Sequence, residues 1–295
     1  MARVKSLSVG KGDMFYIVHN SDNFTLIDCC MDDGERERIV NEIKHEKESK
    51  EIWRIISTHP DDDHIRGLKY LDEKLNILNF YCVNNDTKKK DTTDDFNHYV
   101  MLRDGAKSFF LYKGCKRCWL NDKDDTRGAS GISIMWPKVD NSDYKQALID
   151  AASGGDPNNI SPVIEYNDDS AKYLWMGDMK TEFMEKVYKE IDVKDVTVLF
   201  APHHGRKSGK VPSDFLKKLN PKIIVVGEAP SKDLEYYKEY NTIKQNSAGD
   251  IVFEYDDGWI DVYVGASGYS EGFLKKRQGK TNKFGNYIGS LIVKA

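Results

Sequence analysis

Two short histidine clusters, each closely following an apolar run, constrain the fold of this sequence more than any other feature. The first cluster is residues 59–64, of sequence HPDDDH, and it follows the apolar run at residues 52–57. The second is the pair His203 and His204, which comes after the apolar run at residues 196–200. Short apolar runs predict buried strands, and the end of a strand presents polar side chains from a rigid base. We therefore expect sheets whose strand ends carry the two clusters.

The composition of the first cluster indicates a metal site. His59 and His64 enclose three aspartates, and crowding carboxylates just past a buried strand is costly unless a cation compensates them. A solvated loop in which an aspartate caps the next helix is the alternative. A third apolar run, residues 173–176, ends in Gly177 and Asp178 and adds a carboxylate at a strand tip. Together the three elements predict a metal site in which Asp178 is able to bridge two ions.

Alternating apolar patterns predict a layered α/β body with two sheets packed together and helices outside. The chain opens as a β-meander, continues as mixed strand and helix units, and ends in a hairpin around residues 256–258. Strands are predicted at residues 3–9, 14–19, 24–28, 52–57, 132–136, 162–166, 172–176, 196–200, 222–226, 250–255 and 259–264. Helices are predicted at residues 32–50, 63–75, 143–152, 180–191, 213–219 and 233–240.

Neither an internal repeat nor a low-complexity linker divides the chain, so residues 1–295 are predicted to form a single domain. Residues 84–131, which are rich in lysine and aspartate, are predicted to be an insertion or a lid. Residues 274–295 are a basic C-terminal segment. The five lysine and arginine residues between Phe273 and Phe284 suit either the binding of a single nucleic-acid strand or a solvated tail.

Composition excludes some classes of function. The formal net charge of -4 argues against a chain built around non-specific nucleic-acid binding, but it leaves room for a nuclease with a local basic patch. The five cysteines are odd in number and widely spread, which favours reduced thiols over a disulfide framework. The sequence shows neither a transmembrane run nor a signal-peptide pattern. We therefore expect a cytoplasmic protein without a membrane segment.

The motifs at these strand ends resemble those of the metallo-β-lactamase fold. Residues 59–64 are similar to the HxHxDH signature of that family, with Asp61 in place of the second histidine. Asp28, in the segment LIDC, matches the family's first-strand aspartate, and Asp178 matches its bridging aspartate. The HPDxDH variant, the strand ending in Gly-Asp and the turn PHHG at residues 202–205 together are most similar to the hydrolase domain of the DNA-uptake protein ComEC.

The resemblance implies a four-layer αββα sandwich with two divalent metal ions at one edge. The implied ligands are His59 and Asp61 for the first ion, Asp63 and His64 for the second, Asp178 as the bridge, and His204 or His203 to complete the second ion. His204 is slightly favoured over its neighbour. Asp28 is expected to orient the ligands without binding metal. Asp63 and Asp178 are also expected to position the hydroxide that the two ions share.

The sequence departs from the wider family at the middle histidine ligand, because no histidine lies between His98 and His203. An Asn–Ser stretch at residues 156–162 stands in its place, as in ComEC-like chains. Asn158 or Asn159 is expected to offer a carbonyl oxygen to the first ion or to hold a substrate oxygen, with Asn159 predicted to be catalytic and Asn158 to bind substrate. The first site is then rich in oxygen, which moves its preference from Zn²⁺ towards Mn²⁺ and leaves both metals open.

Two ions that share a hydroxide suit in-line displacement at phosphorus. The resemblance therefore implies a metal-dependent hydrolase, above all a phosphodiesterase or nuclease for DNA or a nucleotide-type substrate. Arg206, Lys207 and Ser208 are expected to bind the substrate phosphate. A phosphocholine or cyclic nucleotide is the alternative substrate, and a binding or regulatory module with a decayed metal site is the alternative class. By analogy with ComEC, we expect a role in nucleic-acid clearance or phage defence, with a protein partner encoded nearby.

Overall fold

The computed structural model describes residues 1–168 and 171–293, which form fifteen strands in two sheets and eight α-helices. The strands are β1 (Arg3–Ser6), β2 (Phe15–Val18), β3 (Asn23–Ile27), β4 (Ile52–Ile56), β5 (Phe80–Cys82), β6 (Ser108–Phe110), β7 (Ile132–Trp136), β8 (Val163–Asn167), β9 (Lys172–Trp175), β10 (Val198–Phe200), β11 (Ile223–Val226), β12 (Thr242–Lys244), β13 (Ile251–Asp256), β14 (Trp259–Val264) and β15 (Asn286–Ile292). The helices are α1 (Arg36–Glu46), α2 (Asp62–Ile65), α3 (Leu68–Leu75), α4 (Asp94–Asp104), α5 (Ser142–Ala152), α6 (Thr181–Val187), α7 (Ser213–Leu219) and α8 (Gln245–Ala248). Among these residues no helix combines the length and the apolar character that crossing a bilayer needs.

The two sheets have related topologies. The first has nine strands in the order β15-β14-β13-β1-β2-β3-β4-β5-β6, and the second has six in the order β12-β11-β10-β9-β8-β7. The first sheet is antiparallel from β15 to β3 and parallel from β3 to β6. The second is antiparallel from β7 to β9 and parallel from β9 to β12. In each sheet, the loops that follow the parallel strands therefore all leave at the same edge.

Apolar side chains fill the space between the sheets and cover their outer faces. Between the sheets, the ring centroids of Phe15 in β2 and Phe200 in β10 lie 4.9 Å apart. On the outer face of the second sheet, Trp136 packs edge-on against Tyr144 of α5 and Phe183 of α6. A separate apolar cluster joins the outer face of the first sheet to α1, α3 and α4. The layers run helix, sheet, sheet, helix, which confirms the four-layer sandwich that the resemblance implies.

The single helix predicted at residues 63–75 is wrong, because the chain forms α2 and α3 with a break at Gly67. Gly67 has a φ of 86°, in the left-handed region that glycine adopts without strain. The backbone N–H groups of Gly67 and Lys69 donate to the carboxylate of Asp95, at 2.8 and 2.9 Å. A side chain from α4 thus caps α3 and fixes the break. As a result His64 lies in a short helix of its own.

The helix predicted at residues 233–240 is also wrong. A 3-10 turn at Ser231–Asp233 is followed by further turns, in which Tyr236 N–H donates to Asp233 C=O and Tyr240 N–H to Tyr237 C=O. The buried Asp233 carboxylate accepts hydrogen bonds from the Tyr236 hydroxyl and from the backbone of Lys207. These local bonds compete with the α-helical ladder and tie the segment to the loop after the second histidine cluster.

Residues 84–131 contain two elements that the sequence did not predict. Strand β6 pairs in parallel with β5 at the end of the first sheet. Helix α4 begins after Thr93, whose side chain accepts a hydrogen bond from Phe96 N–H, and it packs Phe96 and Tyr99 into the outer apolar cluster. Charged residues at both ends of α4 obscure the apolar periodicity by which an amphipathic helix is recognised in a sequence. Part of this stretch therefore extends the first sheet, and the role of a lid stays a prediction.

Basic residues of the C-terminal segment pair with carboxylates of the first sheet. Arg277 and Lys280 both contact Asp261 of β14, which is fully buried. Lys283 lies 2.6 Å from Glu254 of β13. These salt bridges neutralise positive charge that this segment would need in order to bind a nucleic-acid strand. Residues 294–295, the last two of the predicted basic segment, lie outside the described residues.

Candidate metal centre

Loops from both sheets bring ionisable side chains to one edge of the sandwich. Asp28 follows β3, and His59 lies just past the end of its parallel neighbour β4. Asp178 follows β9, and the 3-10 turn His203–Gly205 follows the adjacent parallel strand β10. Contacts between the two groups of loops show that the two edges coincide, because His64 lies against Asp178.

Two imidazoles and two carboxylates converge at the centre of this edge. His64 Nε2 lies 3.1 Å from Asp178 Oδ1, and His204 Nε2 lies 3.4 Å from Asp178 Oδ2. His204 Nε2 is also 3.4 Å from Asp63 Oδ2. His64, Asp178 and His204 are buried, whereas Asp63 is partly exposed. Nitrogen and oxygen atoms at this spacing are a donor set that suits a divalent transition metal.

Three buried polar atoms of this set have no hydrogen-bond partner among the described residues: His64 Nε2, Asp178 Oδ1 and His204 Nε2. Buried polar groups without partners are rare in folded proteins, since each costs free energy. Here all three belong to a group of four residues, with Asp13 as the fourth, whose ligand atoms lie within 4.8 Å of one another. A cation bound between them would satisfy all three, so the residues present fit a metal ion.

Asp28 holds His64 in the orientation that metal binding requires. The Asp28 carboxylate lies 2.9 Å from His64 Nδ1, and it also accepts hydrogen bonds from the backbone and the hydroxyl of Thr58, each at 2.7 Å. Since a carboxylate only accepts, Nδ1 carries a proton, and in the neutral ring, the form that binds metal, the lone pair of Nε2 faces the cluster. Burial alone would lower the pKa of His64, but the carboxylates of Asp178 and Asp28 outweigh it and raise this pKa well above the usual value.

Asp13 holds His204 in the same way, and sequence reasoning missed it. Asp13 Oδ1 lies 2.9 Å from His204 Nδ1, which leaves His204 Nε2 to face Asp178 and Asp63. Burial would lower the pKa of His204, but Asp13 and Asp178 raise it well above its usual value. His64 and His204 in turn lower the pKa of the Asp178 carboxyl, against the effect of burial.

Close packing of the loop before β2 explains how Asp13 reaches the cluster. Asp13 N–H donates to the carbonyl of Asp63 at 3.1 Å. A Cβ atom on Gly12 would lie 2.4 Å from Cys30 Sγ and 2.5 Å from the Asp63 carbonyl oxygen, so only glycine permits this approach. In the sequence, residues 10–13 (GKGD) suggest only a hairpin turn. The aspartate at the end of this turn was the only sign that the loop contributes to the cluster.

The structure distinguishes the two neighbouring histidines of the second cluster. His204 is buried in the centre, whereas His203 is partly exposed and its Nε2 lies 3.6 Å from Asp178 Oδ2. His203 Nδ1 is 2.9 Å from the hydroxyl of Ser208. Both histidines have φ values in the left-handed region, 53° and 56°, which is uncommon for residues other than glycine. Each ring directs its Nε2 towards Asp178 Oδ2, and the other ring nitrogen contacts Ser208 in His203 and Asp13 in His204.

The other half of the cluster contains His59, Asp61 and Asn158. His59 Nε2 lies 3.8 Å from Asp61 Oδ2. The side-chain amide of Asn158 is in contact with both residues. Burial and the neighbouring His64 lower the pKa of His59, which favours the neutral ring. Lys89, which sequence reasoning also missed, places its ammonium 2.9 Å from Asp61 Oδ1.

Asn159, predicted as a catalytic residue, is not brought into the cluster. Its Oδ1 accepts a hydrogen bond from the backbone N–H of Lys180, at 3.1 Å. Its side chain thus braces the loop that carries Asp178. Asp63 does lie at the cluster, where His204 and His64 outweigh burial and lower the pKa of its carboxyl.

Comparisons with known proteins agree with this architecture. Residues 8–107 match the family model of the metallo-beta-lactamase superfamily. The chain has the metallo-β-lactamase fold. None of the curated proteins matches the chain.

Two solved structures illustrate the likeness. The BLEG-1 B3 metallo-beta-lactamase is 17% identical, with 59% of this chain and 71% of that chain covered and a TM-score of 0.30. A candidate zinc-dependent hydrolase of the metallo-beta-lactamase superfamily from Thermotoga maritima is 13% identical, with 80% and 86% covered and a TM-score of 0.36.

A basic cleft adjoins the metal centre of this metallo-β-lactamase fold. It begins beside the His203–Gly205 turn and encloses a cavity of about 760 Å³. Its lining residues are Lys180, Thr181, Glu182, Arg206, Lys207, Ser208, Lys210, Pro230, Lys232 and Asp233. Five of these ten residues are basic and two are acidic, so the cleft is positively charged. In the described part of the chain, neither Arg206, Lys207 nor Lys232 has a side-chain salt bridge, which leaves their charge available to a ligand.

Proposed function

We propose that this protein is a metal-dependent phosphodiesterase that cleaves DNA or another nucleotide-type substrate. The observation that carries the proposal is the basic cleft next to the buried histidine and aspartate cluster. A carboxylate-rich centre beside unpaired cations suits an anionic ester that presents its phosphorus to a metal. The similarity of the three sequence motifs to the ComEC hydrolase domain also favours DNA.

The metal would be held by His64, Asp63, Asp178 and His204. A divalent ion bound there supplies a water nucleophile of lowered pKa and positive charge for the attacked phosphate. The chain itself does the rest of the work. Asp28 and Asp13 keep the two imidazoles oriented, and burial of the cluster excludes bulk water and strengthens its electrostatics.

Arg206, Lys207 and Ser208 are the residues that we propose for phosphate binding. They follow directly after the His203–Gly205 turn and line the cleft. Guanidinium, ammonium and hydroxyl groups are the usual donors to phosphate oxygens. His203 links the two regions, since one ring nitrogen faces Ser208 and the other faces Asp178. A phosphate held by these donors would lie next to the metal ligands.

A small phosphodiester is the second candidate substrate. A cavity of about 760 Å³ lies within the range of roughly 300–1,000 Å³ that small-molecule sites occupy. A cyclic nucleotide or a phosphocholine ester carries one phosphate and would use the inner part of the cleft. A nucleic-acid strand would also use Lys210 and Lys232, which line the same cleft.

The test is cleavage of labelled single-stranded DNA, double-stranded DNA and bis(p-nitrophenyl) phosphate. Each substrate is incubated with Mn²⁺, Zn²⁺, Mg²⁺ or a chelator. We expect DNA cleavage that depends on metal and falls by about 10²–10³-fold in Asp178→Asn, an order-of-magnitude estimate from the loss of electrostatic stabilisation. Lys232→Ala is the variant that separates the candidates, since it should weaken DNA cleavage and leave the small substrate unaffected.

Three outcomes are informative. Cleavage of the small phosphodiester without cleavage of DNA would favour the second candidate. Full activity of Asp178→Asn on every substrate would contradict the metal centre as the catalytic site. Metal binding without any hydrolysis would favour the non-catalytic class, a binding or regulatory module.

A further inference from the structure

The two halves of the metal cluster differ in how their polar atoms are satisfied. The orphaned buried atoms lie on His64, Asp178 and His204. Within the described residues none of the orphaned atoms belongs to His59. Both oxygens of Asp178 face the same half, since Oδ1 is nearest to His64 and Oδ2 to His203 and His204. The buried atoms that a cation would satisfy therefore all lie in the half of the cluster that contains His64 and His204.

On the other side, Lys89 already supplies a cation. It follows β5, and its ammonium lies 2.9 Å from Asp61 Oδ1 and 5.4 Å from the centre of the Phe96 ring. The side chains of Lys89 and Asp61 are only 23% and 31% exposed. Partial burial strengthens the pair relative to one on the surface. The carboxylate that the resemblance assigns to a first metal ion thus has a partner within the chain.

Asn158 satisfies the remaining atoms of this half. With its amide nitrogen turned towards the surrounding acceptors, Asn158 can donate its two N–H groups to His59 Nε2 and Asp61 Oδ2, at 3.2 and 3.0 Å, while Asp156 Oδ1 accepts from the Asn158 backbone. A nitrogen that donates to His59 Nε2 occupies the lone pair that a metal would need. The position where the wider family has a histidine ligand therefore carries a hydrogen-bond donor instead.

We propose that the centre holds one divalent ion, bound by His64, Asp63, Asp178 and His204, and that Lys89 and Asn158 replace the second ion. The ammonium of Lys89 provides positive charge where a first ion would lie, and it hinders a second ion because the two cations would repel each other. This inference replaces the expectation of two ions. It rests on the metal centre proposed above and is independent of which substrate is cleaved.

The test is the number of Mn²⁺ ions bound per chain. Metal-free protein is loaded with excess Mn²⁺, passed through a desalting column and analysed by elemental mass spectrometry. Electron paramagnetic resonance of the same samples distinguishes an isolated Mn²⁺ from an exchange-coupled pair. We expect about one ion per chain for the wild type, with the spectrum of an isolated ion.

Variants of Lys89 and Asn158 test whether these two residues limit the chain to one ion. The double variant Lys89→Met/Asn158→His removes the ammonium and restores the histidine of the wider family, and we expect it to bind about two ions as a coupled pair. Asn158→His alone keeps Lys89 on Asp61 and is expected to stay at about one ion. Lys90→Met is the control for loss of a nearby exposed lysine and should also stay at one.

Any of three results would overturn the inference. Two ions in the wild type would show that Lys89 does not take the place of the second. One ion in a correctly folded double variant, checked by circular dichroism, would mean that Lys89 and Asn158 do not exclude it. Loss of the single ion in His59→Ala, with retention in His64→Ala, would show that the ion is bound in the half that contains His59. All three results are independent of hydrolytic activity.

Discussion

Each histidine of the proposed metal-binding half is held by a carboxylate on the ring nitrogen that faces away from the metal. Asp28 holds His64 and Asp13 holds His204, both at 2.9 Å. Such partners fix the tautomer and the orientation of the ring and make it a better ligand. The two aspartates come from the loop before β2 and the end of β3, so neighbouring strands of the first sheet support both ligands.

At this scale we predict that Asp13→Ala weakens Mn²⁺ binding by about 10–100-fold, the usual effect of removing such a partner. Asp13→Asn should lose less, because its side-chain oxygen still accepts a hydrogen bond from His204 Nδ1. Isothermal titration with Mn²⁺ measures both affinities. Asp125→Ala removes an exposed carboxylate elsewhere and serves as the control. An unchanged affinity in Asp13→Ala would rule out the positioning role of Asp13.

At the scale of elements, the centre depends on how a loop packs against a short helix. The loop at residues 10–13 lies against α2 itself, where the carbonyl of Asp63 accepts a hydrogen bond from Asp13 N–H. The break at Gly67 separates α2 from α3 and so sets the position of His64. These contacts connect elements that lie far apart in the chain.

Gly12 is the residue at which this packing is most sensitive. Because a Cβ atom there would lie within 2.5 Å of the Asp63 carbonyl and of Cys30 Sγ, we predict that Gly12→Ala destabilises the fold by about 1–3 kcal/mol. Urea unfolding measures this loss, and the same variant should bind Mn²⁺ more weakly because Asp13 moves. Gly34→Ala is the matched control, since its Cβ would meet nothing within 4 Å. Equal stability of the two variants would contradict the close approach.

For the whole molecule, the metal centre joins the two sheets. His64 belongs to the first sheet's loops, and Asp178 and His204 belong to the second sheet's loops. An ion between them would cross-link the halves of the sandwich at one edge, in addition to the aromatic core of Phe15 and Phe200. Binding of an ion at this candidate site would therefore be coupled to global stability.

We predict that Mn²⁺ raises the melting temperature of the wild type and that a chelator reverses the rise. At a free metal concentration 100 times the dissociation constant, the gain is about 2.7 kcal/mol. Asp178→Asn should retain the fold but show no such gain, because its side chain no longer offers a carboxylate to the ion. Thermal unfolding followed by circular dichroism measures both proteins. An equal Mn²⁺-dependent rise in the variant would show that the ion binds elsewhere.

Much of this arrangement was predictable from local sequence. Apolar runs of four to six residues predicted most strands, and the polar residues directly after β4, β9 and β10 marked the edge where His59, Asp178 and His204 lie. The helix at residues 233–240 was wrong because hydrogen bonds from Asp233 favour successive turns. Strand β6 and helix α4 were missed because both are short or charged, and their places depend on pairing with β5 and on the outer apolar cluster.

The sequence by itself determined the layered α/β class through its apolar patterns, and the resemblance of its short motifs to a known fold supplied the candidate ligands, because patterns and motifs are properties of neighbouring residues. Only the tertiary structure decided that His204 is buried at the cluster whereas His203 is partly exposed and also contacts Ser208, since burial depends on how the loops of both sheets pack. It also brought in Asp13 and Lys89, which lie 191 residues from His204 and 28 from Asp61 along the chain. Charge balance at a buried site depends on such distant partners, and no local pattern encodes them.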